Sequence, residues 1–204
     1  MAPVSRGKDR RTRVGLVMRL SKDLWLLDLA FKIAERSTCT REKHGCVIAR
    51  NGIVVATGYN GSPEGDPHCD EVGCDLAYFI PVKDVQDASI TFEDGSNLPF
   101  GMIPGKASKH CVRTIHSEIN AIINAALVGS PIDNCDWYIT GVPCSSCMGA
   151  ILRTGPQSAY FCSDRGGVDP AGREERIDRF SDGRHGTICW CWTMEELRKE
   201  GVQV

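Results

Sequence analysis

Two short segments constrain this chain more than any other feature: His116-Ser117-Glu118 and, further on, Pro143-Cys144-Ser145-Ser146-Cys147. One imidazole and two thiolates are donors of the kind tetrahedral zinc takes. Three of them leave the fourth position open for water, which separates a hydrolytic metal from a closed structural one. Bound zinc lowers the pKa of water to roughly 7, so a nucleophile becomes available at neutral pH. Glu118 follows His116 at an offset that, at a helix start, lets a carboxylate reach the open position without becoming a ligand. It is the natural proton shuttle. The fold must bring both segments to one point.

The flanking pattern supports this. Ile115, Ile119, Ile122 and Ala126 recur at helical spacing and predict one buried face on a helix that carries His116 at its first turn. Pro143 suits the first position of a second helix, ended by Gly155 and Pro156. Cys144 and Cys147, at i and i+3, then share one side near the positive end of a helix dipole, which favours the thiolate form. Taken singly, the cysteine pair reads as a structural zinc knuckle or a redox dithiol, and His116 as a buried core histidine. Together, with the glutamate and the proline at these offsets, they point to a catalytic site, because a closed structural site needs no free carboxylate.

A chain of 204 residues is long enough for one domain with a substantial core. The expected organisation is a basic, mobile tail over 1–20, in which Arg6, Lys8, Arg10, Arg11, Arg13 and Arg19 face only Asp9, and a single domain over 21–204. A net charge of −2 argues against an extended nucleic-acid surface, whereas a small anionic substrate needs only a few local cations. Eleven cysteines, an odd count, with no apolar signal segment after Met1, fit a reducing cytoplasm better than a disulfide framework. No run approaches the roughly 20 apolar residues that span a bilayer.

Ser21 is a natural N-cap for an amphipathic helix built on Leu24, Leu27, Phe31 and Ala34 and running to about Arg36. Asn51-Gly52 between Cys46–Ala49 and Ile53–Ala56 predicts a hairpin, which empties into the turn-rich Thr57-Gly58-Tyr59-Asn60-Gly61-Ser62-Pro63. An insertion from Asp75 to Lys109 lacks clear periodicity, and loops of that length are functional or mobile in most compact domains. Around it, Cys39, Cys69, Cys74 and Cys111 offer a second, structural zinc site, in which His68 or His110 can replace a cysteine; the alternative is ordinary buried thiols. Trp137–Thr140 and Ser158–Phe161 read as strands alternating with the two metal helices, hence a partly parallel sheet covered by helices. Ser163–Gly186 reads as an irregular excursion. Thr193 and Glu196 form a capping box for a last helix ended by Gly201, Val202–Val204 is a candidate final strand, and Trp190-Cys191-Trp192 reads as packing.

The His-x-Glu and Pro-Cys-x-x-Cys pairing resembles the signature of the zinc nucleobase deaminases. Within that superfamily the chain is similar to the deoxycytidylate (dCMP) deaminases, in Ser37-Thr38-Cys39, Gly58-Tyr59-Asn60-Gly61-Ser62-Pro63, Pro67-His68-Cys69-Asp70-Glu71 and Arg113-Thr114-Ile115-His116-Ser117-Glu118, in the same order. The resemblance covers about residues 22–163. It implies a cytidine-deaminase-like three-layer α/β/α sandwich with a mixed sheet of about five strands, hydrolysis of dCMP to dUMP and ammonia, and a homo-oligomer, commonly a hexamer. It also implies activation by dCTP and inhibition by dTTP, with Mg²⁺ accompanying a triphosphate effector. Asn60 matches a position that contacts the substrate sugar in related deaminases, and Gly58, Tyr59 and Gly61 lie where effectors bind. Two features depart from the family pattern: a longer insertion, and Ser117 where alanine is usual. A small side chain at 117 still allows its backbone N–H to support the pyrimidine.

The implied chemistry assigns Glu118 the proton transfers that accompany attack of water on C4 of cytosine. Lys43, Lys109 and Arg113 are candidate cations for the substrate phosphate. The rival readings are a deaminase of a base in RNA or single-stranded DNA, which needs stacking aromatics and basic strand contacts, and a catalytically silent scaffold that binds zinc or nucleotide.

Overall fold

The computed structural model describes residues 19–79, 89–91, 97–99, 108–166, 177–178 and 187–204. The tail expected over 1–20 therefore lies almost wholly outside the described residues, as does most of the excursion expected over 163–186. In chain order the elements are α1 (Lys22–Ala34), β1 (Gly45–Arg50), β2 (Ile53–Tyr59), α2 (Cys69–Val72), β3 (Leu76–Phe79), β4 (Ser89–Thr91), β5 (Asn97–Pro99) and β6 (Ser108–Cys111). There follow α3 (Ser117–Leu127), β7 (Asp136–Ile139), α4 (Ser145–Arg153), β8 (Ser158–Cys162), β9 (Ile188–Trp192) and α5 (Met194–Lys199).

The first helix begins where expected, with the Ser21 hydroxyl accepting from the Leu24 amide at 3.3 Å. Its buried stripe contains Leu24, Leu27, Phe31 and Ala34, with Leu26 and Ala30 beside them. The hairpin turn is equally local in origin. Asn51 and Gly52 take φ of 53° and 73°, the left-handed pair that a type I′ turn demands.

The main sheet has five strands in the order β2-β1-β7-β8-β9. β1 runs antiparallel to both neighbours, whereas β7, β8 and β9 are parallel, so the sheet is mixed. Strand alternation separates two cores. Trp137, Ile139, Ala159 and Phe161 pack with α3 and α4 on one face, and Val47, Tyr138 and Cys162 pack with α1 and with Leu197 of α5 on the other. The result is the three-layer α/β/α arrangement. The turn leaving β7 delivers the Cys-x-x-Cys pair at the carboxyl end of a parallel strand, where open α/β sheets place their ligands.

Four expectations are corrected. Residues 75–109 are not patternless: β3 pairs with β6 and β4 with β5, in ladders of three or four residues, too short for periodicity to reveal. Val202–Val204 forms no strand; Val202 is buried against α1 and the Gln203 amide donates to Asp28 Oδ1 at 2.7 Å. Trp190-Cys191-Trp192 belongs to the fifth strand of the sheet. Trp192 does pack, stacking on Tyr160, but Trp190 is 50% exposed.

The fourth correction concerns α3, whose sheet-facing side is Ser117, Glu118, Ala121 and Ala125; Ile119 and Ile122 are partly buried, and Ala126 is exposed. Close approach to β2 selects the small residues. A Cβ at Gly58 would stand 2.3 Å from the Ser117 carbonyl oxygen and 2.4 Å from the Ala121 amide nitrogen, and backbone cannot swing aside. Gly58→Ala is therefore expected to destabilise the protein by about 1–3 kcal/mol or more. An unchanged urea midpoint would contradict this packing.

Candidate metal centre and active site

His116 is the N-cap of α3 and Glu118 lies in that helix's first turn; Cys144 is the N-cap of α4 and Cys147 lies in its first turn. Pro143 thus precedes the cap instead of opening the helix. The Cys144 sulfur itself does the capping, accepting from the Cys147 amide at 3.5 Å. Two helix starts from different parts of the chain meet here because β1 lies between β2, over which α3 packs, and β7, which leads into α4.

His116 Nδ1 lies 3.5 Å from Cys144 Sγ and 3.4 Å from Cys147 Sγ. The tetrahedral angle puts about 3.6 Å between a nitrogen and a sulfur bound to zinc at their usual lengths. Among the described residues this set alone has every ligand atom within 4.8 Å of the others. The donor chemistry fits as well. A hydrogen bond from Cys147 holds the Cys144 thiol down at about 3 against the cost of burial, with His116 helping. That bond to Cys144 in turn pushes the Cys147 thiol far up, aided by burial and by the Glu118 charge. The hydrogen bond to Cys144 raises His116, with Glu118 adding to it against burial. Two thiols and a carboxylate packed this closely repel when all are ionised, and a divalent cation among them removes the conflict.

Glu118 is buried, 5% exposed, and accepts a hydrogen bond from the Ser117 hydroxyl at 3.0 Å on Oε2. Ser117 thus contributes its side chain to the carboxylate, beyond the backbone role expected of it. Asn60 is buried too, and most of its polar capacity serves the segment before β1: Oδ1 accepts from the His44 amide at 2.7 Å and Nδ2 donates to the Glu42 carbonyl at 2.8 Å. One N–H and one lone pair remain. Gly61 pairs with Ile115 in a two-way backbone bridge, 3.1 and 2.9 Å, which sets the glycine-rich turn beside the residue that precedes His116. Tyr59 is exposed and its carbonyl accepts from Asn120. Gly58 is required by the close approach of α3.

Of the second set, Cys69 Sγ and Cys111 Sγ lie 3.8 Å apart, and the Thr114 hydroxyl reaches Cys111 Sγ at 3.4 Å. Burial raises the Cys111 thiol, but bonds from Thr114, Cys74 and nearby backbone N–H groups bring it down to about 6. Cys74 is pushed up to about 11 by burial and by Cys111, and Cys39 lies within electrostatic reach of Cys69. The four are neighbours, more loosely spaced than the His116 set. His68 Nδ1 lies 3.4 Å from Thr38 Oγ1. The side chains of His110 and Lys109 lie outside the described residues. Arg113 reaches Asp75 at 3.6 Å, and its Nε finds no hydrogen-bond partner among the described residues.

Sequence reasoning missed a polar cluster beside the centre: Glu42, His44, Thr140 and Arg165. A hydrogen bond from His44 holds the Glu42 carboxyl down at about 2, against burial, with help from the Gly166 amide and Arg165. Cys46, wholly buried on β1, also escaped notice, yet it lies within electrostatic reach of Glu118 and Cys147. Neither sits at a motif spacing, so only the fold could reveal them.

Residues 20–163 match the profile of the cytidine and deoxycytidylate deaminase zinc-binding region. The chain is 31% identical over 146 residues to ComE operon protein 2 of Bacillus subtilis, covering 72% of this chain and 61% of that protein. It is 31% identical over 147 residues to the deoxycytidylate deaminase of Enterobacteria phage T4, covering 67% of this chain and 75% of that enzyme. Among solved structures, the dCMP deaminase from the cyanophage S-TIM5 in complex with dCMP and dUMP superposes with a TM-score of 0.53 at 23% identity, over 81% of this chain and 93% of the other. That likeness is one of fold.

Proposed function

The chain belongs to the cytidine and deoxycytidylate deaminase family, and from that membership and the His116, Cys144, Cys147 and Glu118 constellation we propose that it hydrolyses dCMP to dUMP and ammonia. The observation that carries the reading is a buried carboxylate in the helix turn that His116 caps, beside a ligand set of tetrahedral spacing completed by Cys144 and Cys147. His116, Cys144 and Cys147 would hold zinc, which would supply a Lewis acid and lower the pKa of the attacking water. Glu118 takes a proton from the attacking water and passes it to N3 of cytosine, then takes the proton of the new C4 hydroxyl and hands it to the amine, so that ammonia leaves as the C4 carbonyl forms. The Ser117 bond holds Oε2 and leaves Oε1 for these transfers. Asn60 offers the substrate sugar its remaining donor and acceptor.

Arg113, whose Nε has no hydrogen-bond partner among the described residues, is the first choice for the substrate phosphate; Lys43 and Lys109 are the others. Gly58, Tyr59 and Gly61 line the turn assigned to effectors, with dCTP activating, dTTP inhibiting and Mg²⁺ accompanying the triphosphate. A hexamer working in the cytoplasm completes the reading. Eleven cysteines without a disulfide suit a reducing compartment, and no helix among the described residues is long and apolar enough to cross a membrane. Cys39, Cys69, Cys74 and Cys111 hold a second, structural zinc, supported by the 3.8 Å approach of Cys69 to Cys111 and the low Cys111 thiol.

Ammonia release tests the substrate. Turnover is expected with dCMP, and not with CMP, deoxycytidine or dCTP, with rates raised by dCTP and lowered by dTTP. Turnover of cytosine in single-stranded nucleic acid instead would contradict the reading. Metal analysis tests the second site: a zinc-to-chain ratio near 2 is expected, falling to about 1 when Cys69 and Cys74 are both replaced by serine. A ratio of 1 in the unaltered protein would remove that zinc.

A further inference from the structure

The Glu42, His44, Thr140 and Arg165 cluster lies between the two turns that carry the ligands, and the chemistry above makes no use of it. Thr140 is fully buried at the end of β7, where its Oγ1 accepts from the Gly45 amide at 3.0 Å and stands 3.3 Å from His44 Nδ1. Its hydroxyl proton needs an acceptor, and Nδ1 is the acceptor in reach. That assignment places the imidazole proton on Nε2, which faces Glu42 Oε2 at 3.2 Å. The other carboxylate oxygen takes the Gly166 amide at 3.4 Å and Arg165 Nε at 3.7 Å, while Arg165 Nη2 donates to the Lys43 carbonyl at 2.9 Å.

The turn from Thr140 to Cys144 is pressed against this cluster. A Cβ at Gly141 would meet His44 Cε1 at 2.9 Å and the Arg165 carbonyl at 3.2 Å, and the Val142 amide donates to the Arg165 carbonyl at 3.0 Å. The His44 backbone is meanwhile clamped by Asn60, and the adjoining Gly61 is bridged to Ile115 next to His116. One imidazole therefore ties the turn behind Cys144 to the segment registered with His116.

We infer that His44 is a positioning residue of the reaction proposed above: by linking Glu42 to Thr140 it holds the Thr140–Cys144 turn so that Cys144 and His116 keep ligand distance. The inference rests on zinc occupying that set and on no particular substrate. Groups that orient metal ligands without touching the metal commonly change metal affinity by about 10- to 100-fold when lost. His44 acts through a turn, so the lower end applies.

His44→Leu fills the space but cannot bond Thr140. Zinc release to an excess of chelator, at a temperature well below unfolding, is expected to quicken about tenfold. With dCMP, kcat is expected to fall while KM stays within about twofold, since the effect is on the ligand turn and not on the nucleotide contacts. His44→Asn, which returns an acceptor near the Nδ1 position but loses the link to Glu42, is expected to release zinc at a rate between those of His44→Leu and the unaltered protein. Thr140→Val, with the imidazole intact, is expected to match His44→Leu and decides the matter if the leucine variant does not fold. Unchanged zinc release in His44→Leu or in Thr140→Val would overturn the inference. Because release is measured without substrate, failure of the protein on dCMP would sink the substrate reading alone.

Discussion

Glu118→Gln is expected to lower kcat with dCMP by about 10²- to 10⁴-fold while zinc at the His116 set stays at the level of the unaltered protein. The amide keeps the size of the side chain and still accepts the Ser117 hydrogen bond on its oxygen, so neither the helix start nor the ligand spacing changes. It cannot, however, take a proton from water at neutral pH or return one to the leaving amine. Metal analysis and a turnover assay on the same preparation check both halves. Full activity with zinc bound would remove Glu118 from the proton transfers. Loss of zinc together with activity would instead make the carboxylate a part of the metal site.

Cys147→Ser is expected to bring zinc at the catalytic set and turnover down together to background. Cys147 is 2% exposed, its sulfur lies 3.4 Å from His116 Nδ1, and a serine hydroxyl is a far poorer zinc ligand than a thiolate. Stability should report the same event. A ligand that binds only the folded state at 1,000 times its Kd adds about 4 kcal/mol, so chelator should lower the Tm of the unaltered protein clearly. In Cys147→Ser that part of the chelator shift should vanish. A variant that keeps its zinc, or an unaltered protein whose Tm ignores chelator, would contradict the assignment.

The grouping of His116, Cys144 and Cys147 was legible from residue types, spacing and the signature they resemble, because tetrahedral coordination asks for particular donors. The hairpin and the capped ends of α1 and α5 were legible for a related reason: Asn51-Gly52, Ser21 and the Thr193–Glu196 box act within a few residues of themselves. Long-range packing was less readable. The periodicity around Ile115, Ile119 and Ile122 placed the centre of the buried face of α3 off the observed one: Ile122 packs against the core, but Gly58 admits the helix so closely that Ala121 and Ala125 are the fully buried residues. The strand β9 escaped notice because it follows a stretch without periodic pattern and keeps Ile188 and Trp190 exposed. His44 and Thr140 are distant in the chain and meet only because β1 pairs with β7, so no spacing could announce them.

The most direct test of dCMP hydrolysis at this centre is mass analysis of the product formed by the zinc-loaded protein in ¹⁸O-labelled water. One solvent oxygen at C4 of dUMP for each ammonia released is the predicted result. Zinc bound at the His116, Cys144 and Cys147 set with no conversion of dCMP, or dUMP formed without solvent oxygen at C4, would contradict it.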